Sequence, residues 1–320
     1  MELKVLVLLA LLATATLASR SAINHDIISA VNNDPASTWT AGVNSFFEGK
    51  TIDEVKGLLG VSEFTPEPLS MIGPDAAAAM AQKAAARKAK LPTSFDARKK
   101  WPKCMHPVLN QAQCGSCWAF SLTEVMTNRM CIQGLKDEVL SPQDLVSCDY
   151  TNYGCQGGIL NRAWSFVEKQ GVTSWECLPY TSGNGTTGSC PSHCADGSPI
   201  KRVKAVHARH INELFGRDDA IAEEIVNNGP VQVAFKVYED FMHYTGGVYQ
   251  HKTGSMLGGH AVMAIGFGEE NGVPYWLIQN SWGTSWPSGA SSDLQGMFKI
   301  KRGSNECGIE SDVWAGDVAA

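Results

Sequence analysis

The stretch Gln111-Ala112-Gln113-Cys114-Gly115-Ser116-Cys117-Trp118-Ala119-Phe120 runs a cysteine-rich turn directly into an apolar segment of helical spacing, Trp118, Phe120, Leu122, Val125 and Met126. This pattern predicts Cys117 at or near a helix N-terminus. The thiolate is the nucleophilic form of cysteine, and the partial positive charge of a helix N-terminus and a neighbouring imidazolium both favour it. Two later strings offer partners: Gly258-Gly259-His260-Ala261 a base, and Gln279-Asn280-Ser281-Trp282-Gly283 an amide able to orient that base. The chemistry they suggest is acyl transfer. Cys117 would attack a carbonyl carbon, and His260 would hold the proton and later deliver it to the leaving group. Asn280 would fix the imidazole tautomer. Gln111, six residues before Cys117, would donate its side-chain N–H to the developing oxyanion, together with the Cys117 backbone N–H.

Other chemistries use the same residue types. Cys114 and Cys117 could form a redox pair, or half of a zinc site completed by Cys148, Cys155, Cys190 or Cys194. Against redox chemistry of the thioredoxin kind, the pair does not follow a strand in a βαβ pattern. Against zinc, the ten cysteines form an even set in a chain whose start reads as a secretory leader, where disulfides are the default. Parity alone does not say whether Cys117 is free, since ten cysteines could make five bridges. The isolated histidines His193, His207, His210, His243 and His251 have no motif around them and are read as structural or surface residues.

Residues 1 to about 18 carry Lys4, the apolar run Val5 to Leu12 and small residues Ala13, Ala15 and Ala18, the layout of a signal peptide. No later stretch approaches the length needed to span a bilayer, so a soluble mature protein is expected. A formal net charge of -6 gives no reason to expect nucleic-acid binding. Asn184-Gly185-Thr186, within a Gly/Ser/Thr-rich stretch, is a glycosylation acceptor.

The elements that must hold the site fall into two halves. After the Cys117 helix, Ser141-Pro142-Gln143-Asp144 resembles a capping box opening a short helix to about Ser147. A further helix is expected from Ile159 to Gln170, with Leu160, Ala163, Trp164 and Val167 on one side and Gly171 as its stop. Beyond a helix at Asp218 to Asn227, alternation over Val231 to Val237 reads as a strand, with more strands at Ala261 to Phe267, Pro274 to Gln279 and Met297 to Lys301. Trp286 is expected in the core. Residues 19 to about 90 contain no cysteine and end in the Ala-rich run Ala76 to Lys90, read as a solvated helix or linker with Lys83, Arg87, Lys88 and Lys90 exposed.

The Cys-Gly-Ser-Cys-Trp string with Gln111 before it, Gly-His-Ala and Asn-Ser-Trp-Gly after it, resembles the papain family of cysteine proteases, in its cathepsin B-like branch. The resemblance covers Thr38 to Asn44, which looks like the Trp-x-Ala-Gly-x-Asn pattern of the branch's propeptides, and nearly all of Leu91 to Val318. It implies an α+β, papain-like two-lobe fold, a helical left lobe and a β-barrel-like right lobe with the active-site cleft between them. It implies a signal peptide (1–18), an inhibitory propeptide (19–90) lying in the cleft in the non-productive direction, and a mature peptidase domain (91–320). Implied disulfides are Cys104–Cys131, Cys114–Cys155, Cys148–Cys190 and Cys177–Cys194, leaving Cys117 reactive and Cys307 a buried thiol. Gly157, Gly158, Ala234 and Gly259 would line the substrate cleft, Asp312 would lie at the bottom of the S2 pocket, and Trp282 would cover the Asn280–His260 contact. Implied partners are protein and peptide substrates, the chain's own propeptide and cystatin-like inhibitors, with a monomeric enzyme in the lysosome, a digestive vacuole or outside the cell; no cofactor and no metal are implied.

Besides the Ala-rich junction, three departures from the branch carry expectations. Only residues 178–189 separate Cys177 from Cys190, with no His or Cys among them, so no occluding loop is expected and endopeptidase action follows. Ala112 stands where the family usually has glycine, and a Cβ there strains the turn if φ is positive. Pro287 to Gln295 looks like an extra Ser/Gly-rich loop. A competing reading is an inactive homologue acting as a binding protein; another is a disulfide- or metal-stabilised interaction module.

Overall fold

The computed structural model describes residues 20–65 and 73–319; the expected leader lies outside the described residues. In chain order the elements are α1 (His25–Asn33), β1 (Trp39–Ala41), α2 (Ile52–Lys56), α3 (Pro74–Lys88), β2 (Phe95–Asp96), α4 (Ala97–Lys100), α5 (Cys117–Ile132), α6 (Pro142–Cys148), α7 (Leu160–Lys169), β3 (Ala205–His210), α8 (Arg217–Asn228), β4 (Val231–Tyr238), β5 (Tyr244–Tyr249), β6 (Met256–Glu270), β7 (Val273–Gln279), β8 (Met297–Lys301) and β9 (Asp312–Val318).

Helix α5 begins at Cys117 and is buried nearly all round. Its polar residues are therefore satisfied internally: Ser121 and Thr123 hydroxyls donate to the Cys117 and Ala119 carbonyls, and the Arg129 guanidinium donates to Pro230 O and Glu224. Helix α7 presents Leu160, Ala163, Trp164 and Val167 to the core, as their spacing predicts. At α6 the Ser141 hydroxyl accepts from Asp144 N–H, but the expected capping box is only half formed, because the Asp144 carboxylate turns to Arg202 and Thr173 N–H instead.

The strands form one nine-stranded sheet in the order β1-β5-β8-β7-β6-β4-β9-β3, with β2 pairing β6. Pairing does not run from β1 round to β3, so the expected barrel-like lobe is an open sheet. Two apolar cores result. One packs around the sheet with Phe235, Phe241, Trp286 and Phe298; the other packs around α5 with Trp118, Leu122, Trp164 and Val167. Disulfides Cys104–Cys131, Cys114–Cys155, Cys148–Cys190 and Cys177–Cys194 tie down the loops of the helical half, the same pairs the resemblance implies. Cys117 and Cys307 are free, and Cys307 is only half buried.

The N-terminal segment is built into this frame. Strand β1 pairs with β5, and the Trp39 ring sits against Tyr249 at 5.1 Å. The expected solvated Ala-rich helix is a docked one. In α3, Ala84 and Arg87 are buried, and the Arg87 guanidinium lies on Glu223 of α8 (2.8 Å) and on Glu213 just before that helix (2.9 Å). Lys83 reaches Glu213 more loosely, at 3.7 Å. A basic run on an alanine background reads as solvated because nothing local marks which cation is buried. Arg87→Ala should lose about 1–2 kcal/mol of docking, since the carboxylates are partly exposed, and so raise limited proteolysis within 74–88 about ten-fold. An unchanged cleavage rate would show that the ion pairs do not hold the helix.

Candidate active site

Cys117 opens α5, as expected from the apolar spacing after it. His260 lies within β6, in register with Phe235 of β4, and Asn280 follows the end of β7. Adjacent pairing of β6 and β7 brings these two together: His260 Nε2 lies 2.7 Å from Asn280 Oδ1. The Asn280 oxygen accepts there, so Nε2 carries the proton and Nδ1 is the basic nitrogen. The Trp282 ring stacks on the imidazole at 4.8 Å and is fully buried. The Cys117 sulfur accepts from the N–H of Ala261, the residue after His260, at 3.4 Å. Gln111 is fixed at both ends: its Oε1 accepts from Ser281 Oγ (2.7 Å) and its backbone N–H donates to Ser281 O (2.9 Å). Its Nε2 donates to Cys114 O at 2.8 Å, on the turn leading to Cys117.

The residues between Leu58 and Thr65 fill the groove between the halves. Gly60 N–H donates to Cys117 Sγ (3.2 Å), and Leu58 O accepts from Gln111 Nε2 (2.9 Å). Gly158 donates to Gly60 O and accepts from Ser62 N–H, while Gly259 O accepts from Val61 N–H. Val61 therefore bridges Gly158 in parallel and Gly259 in antiparallel. A Cβ on Gly157 would stand 2.5 Å from Ser62 Oγ, and one on Gly259 would stand 2.9 Å from Val61 Cβ. Both glycines are thus places where a backbone approaches closely. Ala234 is buried on β4 opposite Ala261 and Asp312. Asp312 Oδ2 accepts from Thr65 N–H (3.0 Å), and its Oδ1 accepts from Trp314 Nε1 (2.9 Å) with His210 Nε2 at 3.8 Å. Asn184 is on the surface, outside the groove.

Burial decides the charge state. With the segment in place, desolvation pushes the Cys117 thiol up to about 11 and His260 down to about 4. Burial thus favours the neutral thiol at Cys117 and the neutral imidazole at His260 while the segment covers them. The thiolate expected from the helix terminus alone therefore belongs to an uncovered site, where water and an imidazolium can stabilise it. In the covered state His260 Nδ1 is buried without a hydrogen-bond partner. A sulfur, an imidazole oriented by an amide and a carboxamide N–H are the parts that acyl transfer needs, here closed off by the chain's own backbone.

Sequence reasoning did not find several contacts of this groove. Gly60 carries no motif. Phe46 and Phe47 press on Trp282 at 5.7 and 5.4 Å, and Ser288 of the 287–295 loop donates its N–H to Asn44 Oδ1 and bonds Ser45. His243, read as a structural or surface residue, is buried and accepts from Asn24 N–H at 3.3 Å. Among the described residues, no group of three or more His, Cys, Asp or Glu has a metal-holding arrangement.

A profile of "Papain family cysteine protease" matches residues 91–316, and one of "Peptidase family C1 propeptide" matches residues 23–63. Cathepsin B-like CP3 of Giardia intestinalis is 43% identical over 287 residues, covering 87% of this chain and 89% of the relative. Cathepsin B of Dictyostelium discoideum is 44% identical over 239 residues, covering 71% of this chain and 74% of the relative. Among solved structures, the chain is similar to proCathepsin B S9 from Trypanosoma congolense, with a TM-score of 0.80, 30% identity, and coverage of 94% of this chain and 100% of that one.

Proposed function

Because the chain belongs to the papain family of cysteine proteases, with a cathepsin B-like sequence and that family's propeptide, we propose that it hydrolyses peptide bonds with Cys117 as nucleophile. In this reading His260 carries the proton, Asn280 orients it, Gln111 binds the oxyanion and Trp282 shields the His260–Asn280 contact. The observation that carries the reading is the backbone of residues 58–62 laid between Gly158 and Gly259, with Gly60 N–H on the Cys117 sulfur. A groove that holds its own chain in this extended form has the shape for an extended peptide substrate. The parallel bridge to Gly158 supports a pro-segment running in the non-productive direction.

The pro-segment is assigned to 19–90 after a leader at 1–18, with a mature enzyme starting near Leu91 in the secretory pathway, in the lysosome, a digestive vacuole or outside the cell. Asn184 is the proposed glycan site. The primed side is proposed to be open. The short segment after Cys177 supports this, since Thr181 and Ser182 donate their N–H groups to Gln143 Oε1 on α6. Endopeptidase action without dipeptide release follows.

The test is hydrolysis of an internally quenched peptide by acid-activated protein beside Cys117→Ala, with products identified by mass. Internal cuts by the wild type and silence from the variant are expected. Dipeptides from the C-terminus as the main product would overturn the open cleft. Silence from both proteins, with the pro-segment removed, would favour a non-catalytic homologue that binds peptides.

Asp312 is proposed to admit Arg at P2 beside hydrophobic side chains. Trp314 Nε1 takes one acceptor site of Oδ1, and Oδ2, which accepts from Thr65 N–H in the covered state, is freed for a guanidinium when the segment leaves. Asp312→Ala should lower the P2-Arg to P2-Leu ratio of kcat/KM about ten-fold or more. An unchanged ratio would sink the assignment.

A further inference from the structure

The turn that carries Gln111 is strained at its centre: Ala112 has φ of 50°, a left-handed conformation that a Cβ disfavours. Something outside the turn must hold it. Asn110 Oδ1 accepts from Ala112 N–H at 2.8 Å, which fixes the turn locally but not relative to Cys117. Ser281 holds Gln111 from outside the turn and Gln111 Nε2 reaches Cys114 O, while the link to Ser116, next to Cys117, is made by Tyr180. Its hydroxyl donates to Gln111 O at 2.8 Å and lies 3.0 Å from the Ser116 hydroxyl. A phenol has one O–H, here given to the carbonyl, so at Ser116 it accepts and the serine donates. One side chain thus grips both ends of the turn, the residue bearing the oxyanion donor and the residue just before the nucleophile. The Tyr180 ring is seated edge-on against Phe120 of α5 at 4.7 Å. Gly183, three residues on, accepts from Gln113 N–H at 2.9 Å. Burial pushes the phenol up to about 12, so it stays a donor at neutral and acid pH.

We propose that Tyr180, with the short loop it opens, is a positioning residue that holds Gln111 and Cys117 in register against the strain at Ala112. The loop between Cys177 and Cys190, lacking an occluding function, would thereby serve the oxyanion site from behind. The inference rests on the proposed protease reading and deepens it.

The test compares acid-activated wild type, Tyr180→Phe, Ala112→Gly and the double variant. Loss of one oxyanion donor lowers kcat by about 10²–10³, and a displaced donor loses part of that. Tyr180→Phe is expected to lower kcat about ten-fold with KM changed less than about two-fold. Alkylation of Cys117 by iodoacetamide forms no oxyanion, so its rate should stay at the wild-type level. In the double variant, glycine removes the strain the clamp resists, and most of the lost kcat should return. Unchanged kcat in Tyr180→Phe overturns the clamp. So does a kcat loss matched by slower alkylation and not relieved by Ala112→Gly, which would make Tyr180 a packing residue. A wild type that is itself silent overturns the protease reading and the clamp with it, whereas active wild type with unaffected Tyr180→Phe overturns the clamp alone.

Discussion

Gly60→Leu should leave the zymogen unable to cover its own nucleophile, with Cys117 alkylated by iodoacetamide at pH 7 at least about 10² times faster than in the wild-type zymogen. A Cβ at this position would stand 1.9 Å from Gly115 O and 2.5 Å from Gly115 C, with Cys117 Sγ at 3.2 Å. These are backbone atoms, and they have nowhere to go. Gly115 N–H is itself bonded to Cys155 O at 2.9 Å, and Cys155 is tied to Cys114 by a disulfide. Overpacking into a site that cannot yield costs about 3 kcal/mol or more, which is the hundred-fold. The segment would have to lift away, and both groups it desolvates would change together. The thiol held up at about 11 would fall, and the imidazole held down at about 4 would rise toward its exposed range. Leucine at residue 60 is chosen over alanine so that no small rotation can relieve the contact. Alkylation at the wild-type rate would mean that other contacts, such as Val61 on Gly259 and Trp39 against Tyr249, hold the cover without Gly60.

The contrast between what could and could not be read from the chain follows the range of the interactions. Cys117 at a helix start, the apolar stripe of α7 and the alternation of β4 depend on neighbours a few positions away, and local spacing records them. His260 and Asn280 meet because β6 and β7 pair in register, which the two short motifs signal only through their likeness to a family. Gly60 on the Cys117 sulfur, Arg87 between two glutamates and Ser288 beside Asn44 join residues far apart in sequence. A glycine, an arginine in an alanine run and a serine in a polar loop look the same locally whether or not they are in such contacts. The half-made capping box at Ser141 shows the same thing from the other side, since a distant arginine outcompetes the local partner for Asp144.

Acid should release the pro-segment through two buried histidines. Burial holds His260 at about 4, against about 6.5 for an exposed imidazole, and also lowers His243, whose ring nitrogen accepts from Asn24 N–H of the segment. Both groups bind a proton more weakly when covered than when exposed. Covering is therefore favoured in full above about 6.5 and loses its advantage as the pH falls from there toward 4. For His260 alone the change between pH 7 and pH 4.5 amounts to about 2–3 kcal/mol, on the order of 50-fold in the covered-to-open ratio. If the uncovered Cys117 ionises beside it, the exposed imidazole binds its proton more tightly and the window extends upward. The Lys252–Asp34 pair behaves differently. Lys252 holds Asp34 below its usual range, so that contact is lost only at lower pH. The measurement is hydrogen exchange at the amides of Val61 and Ser62, bonded to Gly259 O and Gly158 O, in the Cys117→Ala zymogen, which cannot cleave itself. Their protection should fall by one to two orders of magnitude between pH 6.5 and 4.5. Combining His260→Asn with His243→Asn should flatten most of that fall while leaving protection at pH 7 nearer the wild-type level. A fall of the same size in the variant would place the acid response in the carboxylates of the interface and not in the histidines.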